Sequence, residues 1–354
     1  MKPANSILLL KTVLLAGLFA ASTQCRADTG VDFEEDFSLP VAYINIVVDA
    51  GATNDPDSKL GLANVASRML LRGTQKHAKL EFNELLNRLG GEFDLDVRDE
   101  GTVFAGAVLS ENMEKFLTLV DEALSKPKFT AQELAKLKKE TEGEILERKG
   151  NDKALLQYNH YRYLYGAHPY GHPLIGTQKG VRSINYKDIL NYYAQHFSGR
   201  TMRLFGTGAV KKEVVQKWFT ALTEKLNALH PEAKPVESLA VPAIASGRRT
   251  LLVDKPASTQ AQVLMGGTGM RPEMPGFYAI TLGNQPFGGH SFQARMMREI
   301  RVKRGWTYGA SNAFRFGRQP KHYEQCPVQL RHLEEALGKR HDGIPHGFSA
   351  RLLP

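Results

Sequence analysis

Gly61-Leu-Ala-Asn-Val-Ala-Ser-Arg-Met-Leu-Leu-Arg-Gly-Thr74 is the stretch on which the fold turns. Leu62, Val65, Ala66 and Met69 recur at helical spacing, so Gly61 to Arg72 reads as a helix with one apolar face. Upstream, Leu39 to Ala50 (LPVAYINIVVDA) carries β-branched residues in near alternation, the pattern of a strand. Downstream, Leu80 to Leu89 is again helical until Gly90 and Gly91 break it. Phe93, Leu95 and Val97 then alternate on one face, the chain turns at Asp99 to Gly101, and Thr102 to Leu109 returns as the second arm of an antiparallel hairpin.

The pattern continues outward. Ser110 is placed to cap a helix from Glu111 to Leu124, and Thr130 with Glu133 forms a capping box. That box opens a helical stretch through Leu146 and on to Tyr165. Met202 to Gly206 reads as a strand and Lys212 to Leu226 as an amphipathic helix. The Pro-, Ala-, Ser- and Lys-rich run from Leu229 to Arg248 marks a linker. Beyond it the order restarts: strands at Thr250 to Val253 and Gln262 to Thr268, helices at Phe277 to Phe287 and Phe292 to Lys303, and a strand at Trp306 to Phe316. The expectation is an α+β chain of two similar domains, each a mainly antiparallel sheet packed by helices: residues 32–226, a linker at 227–248, and a second domain begun at 249–318.

A length of 354 residues, 42% of them hydrophobic and 23% charged, suits two globular domains and excludes wholesale disorder or a multi-span membrane protein. Two cysteines exclude a disulfide scaffold and a four-cysteine zinc site. The 46 Lys and Arg exceed the 37 Asp and Glu, but the two signs are interleaved, as from Lys136 to Glu144. That marks a solvated helix face, so no nucleic-acid partner is expected. Residues 1–27 read as a signal peptide: Lys2 and Lys11 precede the apolar run Thr12 to Ala21, and Cys25 and Ala27 are small residues suited to cleavage before Asp28. The expectation is an exported, periplasmic protein with no membrane span after cleavage. Residues 319–354 hold four of the eleven histidines and show little periodicity, an atypical tail read as a frame-shifted or truncated end to the second domain.

Several separate stretches resemble the pitrilysin/insulinase-type metallopeptidases, which include the mitochondrial processing peptidases. Gly61 to Ala63 leading to Met69 through Thr74 resembles the family's first helix, and Tyr165 to Pro173 followed by Gly176 and Thr177 its mid-domain loop. Val253 to Pro256 with Gln260, then Gly288, Gly289 and Arg301 to Tyr308, resemble its second domain. The resemblance implies a zinc site built on H-x-x-E-H, two His at i and i+4 as ligands and a Glu as base. The matching positions here are Asn64, Ser67 and Arg68, so both ligands and the base are gone. Glu144 stands about where the resemblance places a third ligand, and the sequence suggests that it pairs with Arg68 instead. His168 and His172 are four apart, but Pro169 and Gly171 make that segment a loop. No nucleophile elbow, Walker loop or paired CxxC is present.

The resemblance also gives Arg301 and Tyr308 a role in substrate binding: the Arg holds a substrate carbonyl and the Tyr donates to an oxyanion, facing a zinc centre. A lost metal motif with a kept Arg–Tyr pair resembles the non-catalytic chain of two-subunit members. The expected function is therefore a subunit that is not catalytic alone and carries no cofactor of its own. It binds extended peptide and completes the site of a partner with an intact H-x-x-E-H and bound zinc. A stand-alone pseudopeptidase that binds peptides or assembles a complex is the alternative, and an active zinc peptidase with unrecognised ligands a third.

Overall fold

The computed structural model describes residues 30–315, apart from scattered positions between 235 and 290, together with residues 322–330. Strands β1 (Val31–Glu35), β2 (Val41–Val48), β3 (Glu92–Val97), β4 (Thr102–Leu109) and β5 (Met202–Gly208) form one sheet in the order β1-β5-β2-β4-β3. β1 runs parallel to β5 and the other neighbours are antiparallel. The period of two sets the faces: Ala42, Ile44, Ile46 and Val48 of β2 and Phe104 and Val108 of β4 are buried, while Tyr43 and Phe205 stand exposed on the other side.

Helices α1 (Leu62–Met69), α2 (Lys79–Arg88), α3 (Met113–Ser125), α4 (Ala131–Gly150), α5 (Asp152–Tyr165), α6 (Gln178–Ser183), α7 (Tyr186–His196) and α8 (Lys212–Leu229) complete this unit. Val65 and Met69 of α1, Phe116 of α3, Leu137 of α4, Ile189 of α7 and Phe219 of α8 join the buried strand residues in one core. Phe104 stacks on Phe93 and meets Phe197 edge-on, and Phe93 meets Phe116 edge-on, which ties sheet to helices.

The sequence reading and the structure differ at several places in regular structure, and of the strand expected at Trp306 to Phe316 only Asn312–Phe314 is a strand among the described residues. The helical stretch from Thr130 is two helices, because Asn151 ends α4 and its side chain accepts from Ala154 N to start α5. Ser110 lies in a short 3-10 turn and does not cap α3. α8 runs to Leu229, so the linker starts later than residue 227. Thr250 to Val253 is not a strand; Leu251 and Leu252 are exposed, and β-propensity without a neighbouring strand makes none.

The second unit holds β6 (Ala261–Thr268), α9 (Phe277–Gly288), a π-helical segment at Met297–Val302, β7 (Asn312–Phe314) and β8 (His322–Leu330). Part of the segment expected to be an irregular tail is thus the middle strand of a three-stranded sheet, order β6-β8-β7. Pro327 lacks a donor for a central strand, and the β6–β8 register shifts there, with Cys326 and Pro327 opposite the single Leu264. The signal segment and residues 331–354 lie outside the described residues. No described helix is long and apolar enough to cross a membrane.

Candidate functional site

The N-terminus of α1 is seated by a buried carboxylate. Asp55 Oδ2 accepts from Gly61 N at 2.6 Å and Oδ1 from Ala63 N at 2.7 Å. Burial pushes this carboxyl up to about 7, although the backbone donors of Ala63, Gly61 and Leu62 pull the other way. Gly61 takes φ +106° and Gly176 φ +89°, and the two glycines pack together. Thr177 N donates to Leu60 O at 3.2 Å. The first-helix stretch and the mid-domain loop, far apart in sequence, are therefore two sides of one junction that fixes α1.

On α1, Asn64 and Ser67 are buried, and Ser67 Oγ lies 3.5 Å from Thr102 Oγ1, which donates to Ala50 O. Arg68 forks onto Glu144 of α4, Nη2 to Oε1 at 2.8 Å and Nη1 to Oε2 at 3.1 Å, with Nη1 also 3.3 Å from Thr141 Oγ1. The pairing suggested from sequence is present. A second rung, unforeseen from the sequence, lies beside it. Arg72, just past α1, donates through Nη1 to Glu140 Oε1 at 3.1 Å, contacts its other oxygen through Nη2, and approaches Glu133 at 3.6 Å. The Arg72 guanidinium holds the Glu140 carboxyl below the usual carboxylate range. Glu140 and Glu144 share one face of α4 at i,i+4, which sets the spacing of the rungs.

A zinc site needs neutral imidazoles and a free carboxylate. Here a permanent cation stands where the resemblance would place a ligand, and both carboxylate oxygens of Glu144 are taken by it. Asn64, Ser67, Arg68 and Glu144 do not fit zinc. Among the described residues no group of three or more His, Cys, Asp or Glu is placed to hold a metal.

Glu144 is partly exposed, so the fork is a modest staple. Arg68→Ala should lower stability by about 1 kcal/mol at neutral pH. A urea-melt cycle with Glu144→Gln isolates the pair; simple additivity of the two variants would show that the fork contributes nothing.

The loop histidines act separately. His168 Nδ1 accepts from Tyr170 N and its Nε2 lies 2.9 Å from Ala240 O, whereas His172 Nδ1 lies 3.1 Å from Ala52 O and its Nε2 3.4 Å from Asp57. Arg301 lies in the last turn of the π-helical segment and Gly305, at φ +67°, turns the chain. Arg301 Nη1 then donates to the backbone O of Tyr308 at 2.6 Å while its guanidinium lies 4.5 Å from the Phe292 ring centroid. Tyr308 is 64% exposed. The structure thus brings Arg301 and Tyr308 together through the backbone.

A helix-covered, mostly antiparallel sheet whose first helix is tied to a later one by the Arg68–Glu144 and Arg72–Glu140 ion pairs has the architecture expected of a metallopeptidase-type half-shell. The chain belongs to the insulinase family, peptidase family M16: that family's profile matches residues 31–178, and the profile of the peptidase M16 inactive domain matches residues 183–320. In Helicobacter pylori, a protein named non-peptidase homolog YmxG is 23% identical over 283 residues, 80% of this chain and 64% of that protein. An uncharacterized zinc protease of Rickettsia bellii is 25% identical over 185 residues, 51% of this chain and 45% of that one. This chain therefore spans less than two thirds of either relative. Among solved structures, a peptidase M16 inactive domain from Pseudomonas fluorescens superposes with a TM-score of 0.78 at 24% identity, over 85% of this chain and 72% of the other.

Proposed function

We propose that this chain is the non-catalytic subunit of an exported, periplasmic two-chain zinc peptidase. It holds extended peptide and completes the active site of a partner chain that carries an intact H-x-x-E-H and the zinc. The observation that carries this reading is the Arg68–Glu144 fork, which puts a cation where a metal ligand would stand. A relative named a non-peptidase homolog supports the same reading. In this role the phenol of Tyr308 donates to the oxyanion that forms during peptide hydrolysis in the partner's site. Arg301 braces the Tyr308 backbone through one nitrogen, and its remaining donors serve a substrate carbonyl.

The test mixes the purified chain with its H-x-x-E-H partner and follows peptide hydrolysis. Mixing should raise the rate above that of either chain alone. Tyr308→Phe should remove most of the gain, on the order of 100-fold, through loss of one oxyanion donor, and Arg301→Ala should also reduce it. No gain on mixing would discard the subunit reading in favour of a pseudopeptidase that binds peptides or assembles a complex by itself.

A further inference from the structure

The segment that carries Arg301 and Tyr308 is strongly basic. From Met274 to Arg315 the sequence holds six Lys and Arg (Arg295, Arg298, Arg301, Lys303, Arg304, Arg315) and one acid, Glu299. That carboxylate is shared by Lys303 at 2.7 Å, Arg304 at 3.5 Å and Arg298 at 3.7 Å. Arg295, Arg298, Lys303 and Arg304 are exposed, so the surplus positive charge faces solvent on the segment that presents Tyr308. Two guanidiniums are also laid over rings, Arg301 over Phe292 and Arg304 over Trp306 at 5.3 Å. Stacking of this kind fixes the plane of the guanidinium. Nη1 of Arg301 is taken by Tyr308 O and Nη1 of Arg304 by Glu299 O, both at 2.6 Å, so the Nε and Nη2 edge of each is the one offered to paired oxygens.

Resting on the reading of this segment as a peptide contact, we infer that the peptide it accepts is acidic, with Asp or Glu side chains set against the cations that flank Tyr308. Planar forks fixed over rings match carboxylates bidentately. A membrane surface is the competing partner, because Phe292 and Val302 of this segment stay exposed although Arg301 lies over one face of the Phe292 ring. The charge excess favours the acidic peptide, and the vesicle arm of the test separates the two. The excess of like charge also disfavours basic peptides, which supplies selectivity as well as attraction.

The test measures binding of the full chain, without a partner, to a fluorescent peptide alternating Glu and Ala, to its Lys–Ala counterpart, and to vesicles containing anionic phospholipid. At low salt the acidic peptide should bind at least about tenfold more tightly than the basic one, and the difference should shrink as salt rises. The double variant Arg295→Glu with Arg298→Glu, both outside the Arg301–Tyr308 pair and exposed, should abolish the preference. Lys303→Glu gives a second, independent reversal, and circular dichroism reports folding of each. Equal binding of the two peptides, a preference that survives in folded charge-reversal variants, or retention on vesicles in place of the acidic peptide would overturn the inference. A chain that selects acidic peptide yet gives no rate gain with its partner would remove the subunit reading and leave this one standing.

Discussion

Gly176→Ala is expected to destabilise the chain by about 3 kcal/mol or more, the combined order of a strained left-handed backbone and an overpacked core. A Cβ at Gly176 would lie 2.3 Å from Leu60 O and 2.5 Å from Gly61 Cα. Those atoms are backbone, so no rotamer change relieves the clash. The junction they form also positions Gly61, the residue before α1, so the strain is transmitted to the helix bearing Asn64, Ser67 and Arg68. Gly143→Ala is the matched control: Gly143 lies inside α4 with nothing within 4 Å of its would-be Cβ. That substitution should be neutral or stabilise by up to about 1 kcal/mol through helix propensity. Urea unfolding of both variants gives the comparison, and similar midpoints would contradict the close packing at Leu60 and Gly61.

Asp55→Ala should destabilise by about 2–4 kcal/mol. The helix loses its N-terminal acceptor, worth roughly 1 kcal/mol. The buried N–H groups of Gly61 and Ala63 also lose their partners at about 1–3 kcal/mol for an unsatisfied group. The effect carries a sign in pH. The native carboxyl titrates at about 7, above its ordinary value of 3.8, so between these values the native state binds more protons than the unfolded chain. Stability from this group is greatest at acid pH and falls as pH rises from about 4 to 7. The difference in stability between wild type and Asp55→Ala should therefore widen as pH is lowered from about 8 to 5. A difference that narrows over that interval would mean the carboxylate is held ionised by the helix N-terminus.

Much of the first unit was legible because its signals are local. β2, the β3–β4 hairpin, α1 and α2 follow from alternation, helical spacing and glycine breaks. β1 was less visible: Val31–Glu35 buries only Phe33 fully and is a strand because β5 supplies a parallel edge. The break at Asn151 was missed because apolar and charged residues continue on both sides of it. β8 was missed because His322 to Leu330 contains a proline and polar residues, and its pairing depends on two other strands and a bulge. In the candidate site, the Arg68–Glu144 pair was readable from matching positions, since a cation replaced one expected ligand while an acid stood at the position of another. Arg72 with Glu140 was not, because helix spacing alone does not say which exposed acids of α4 face α1. The bracing of the Tyr308 backbone by Arg301 was equally hidden, since a side chain bound to a carbonyl leaves no mark on the residue that supplies it.

Zinc content of the purified full chain, measured by elemental analysis after loading with zinc and dialysis, tests the central claim most directly. With Arg68 forked onto Glu144 and Asn64 and Ser67 in place of a ligand and the base, the chain should retain far less than one equivalent. Retention of about one tightly bound equivalent, with peptide hydrolysis by the chain alone, would contradict the account, because a site of that strength needs about three protein ligands that the fork and its neighbours do not provide.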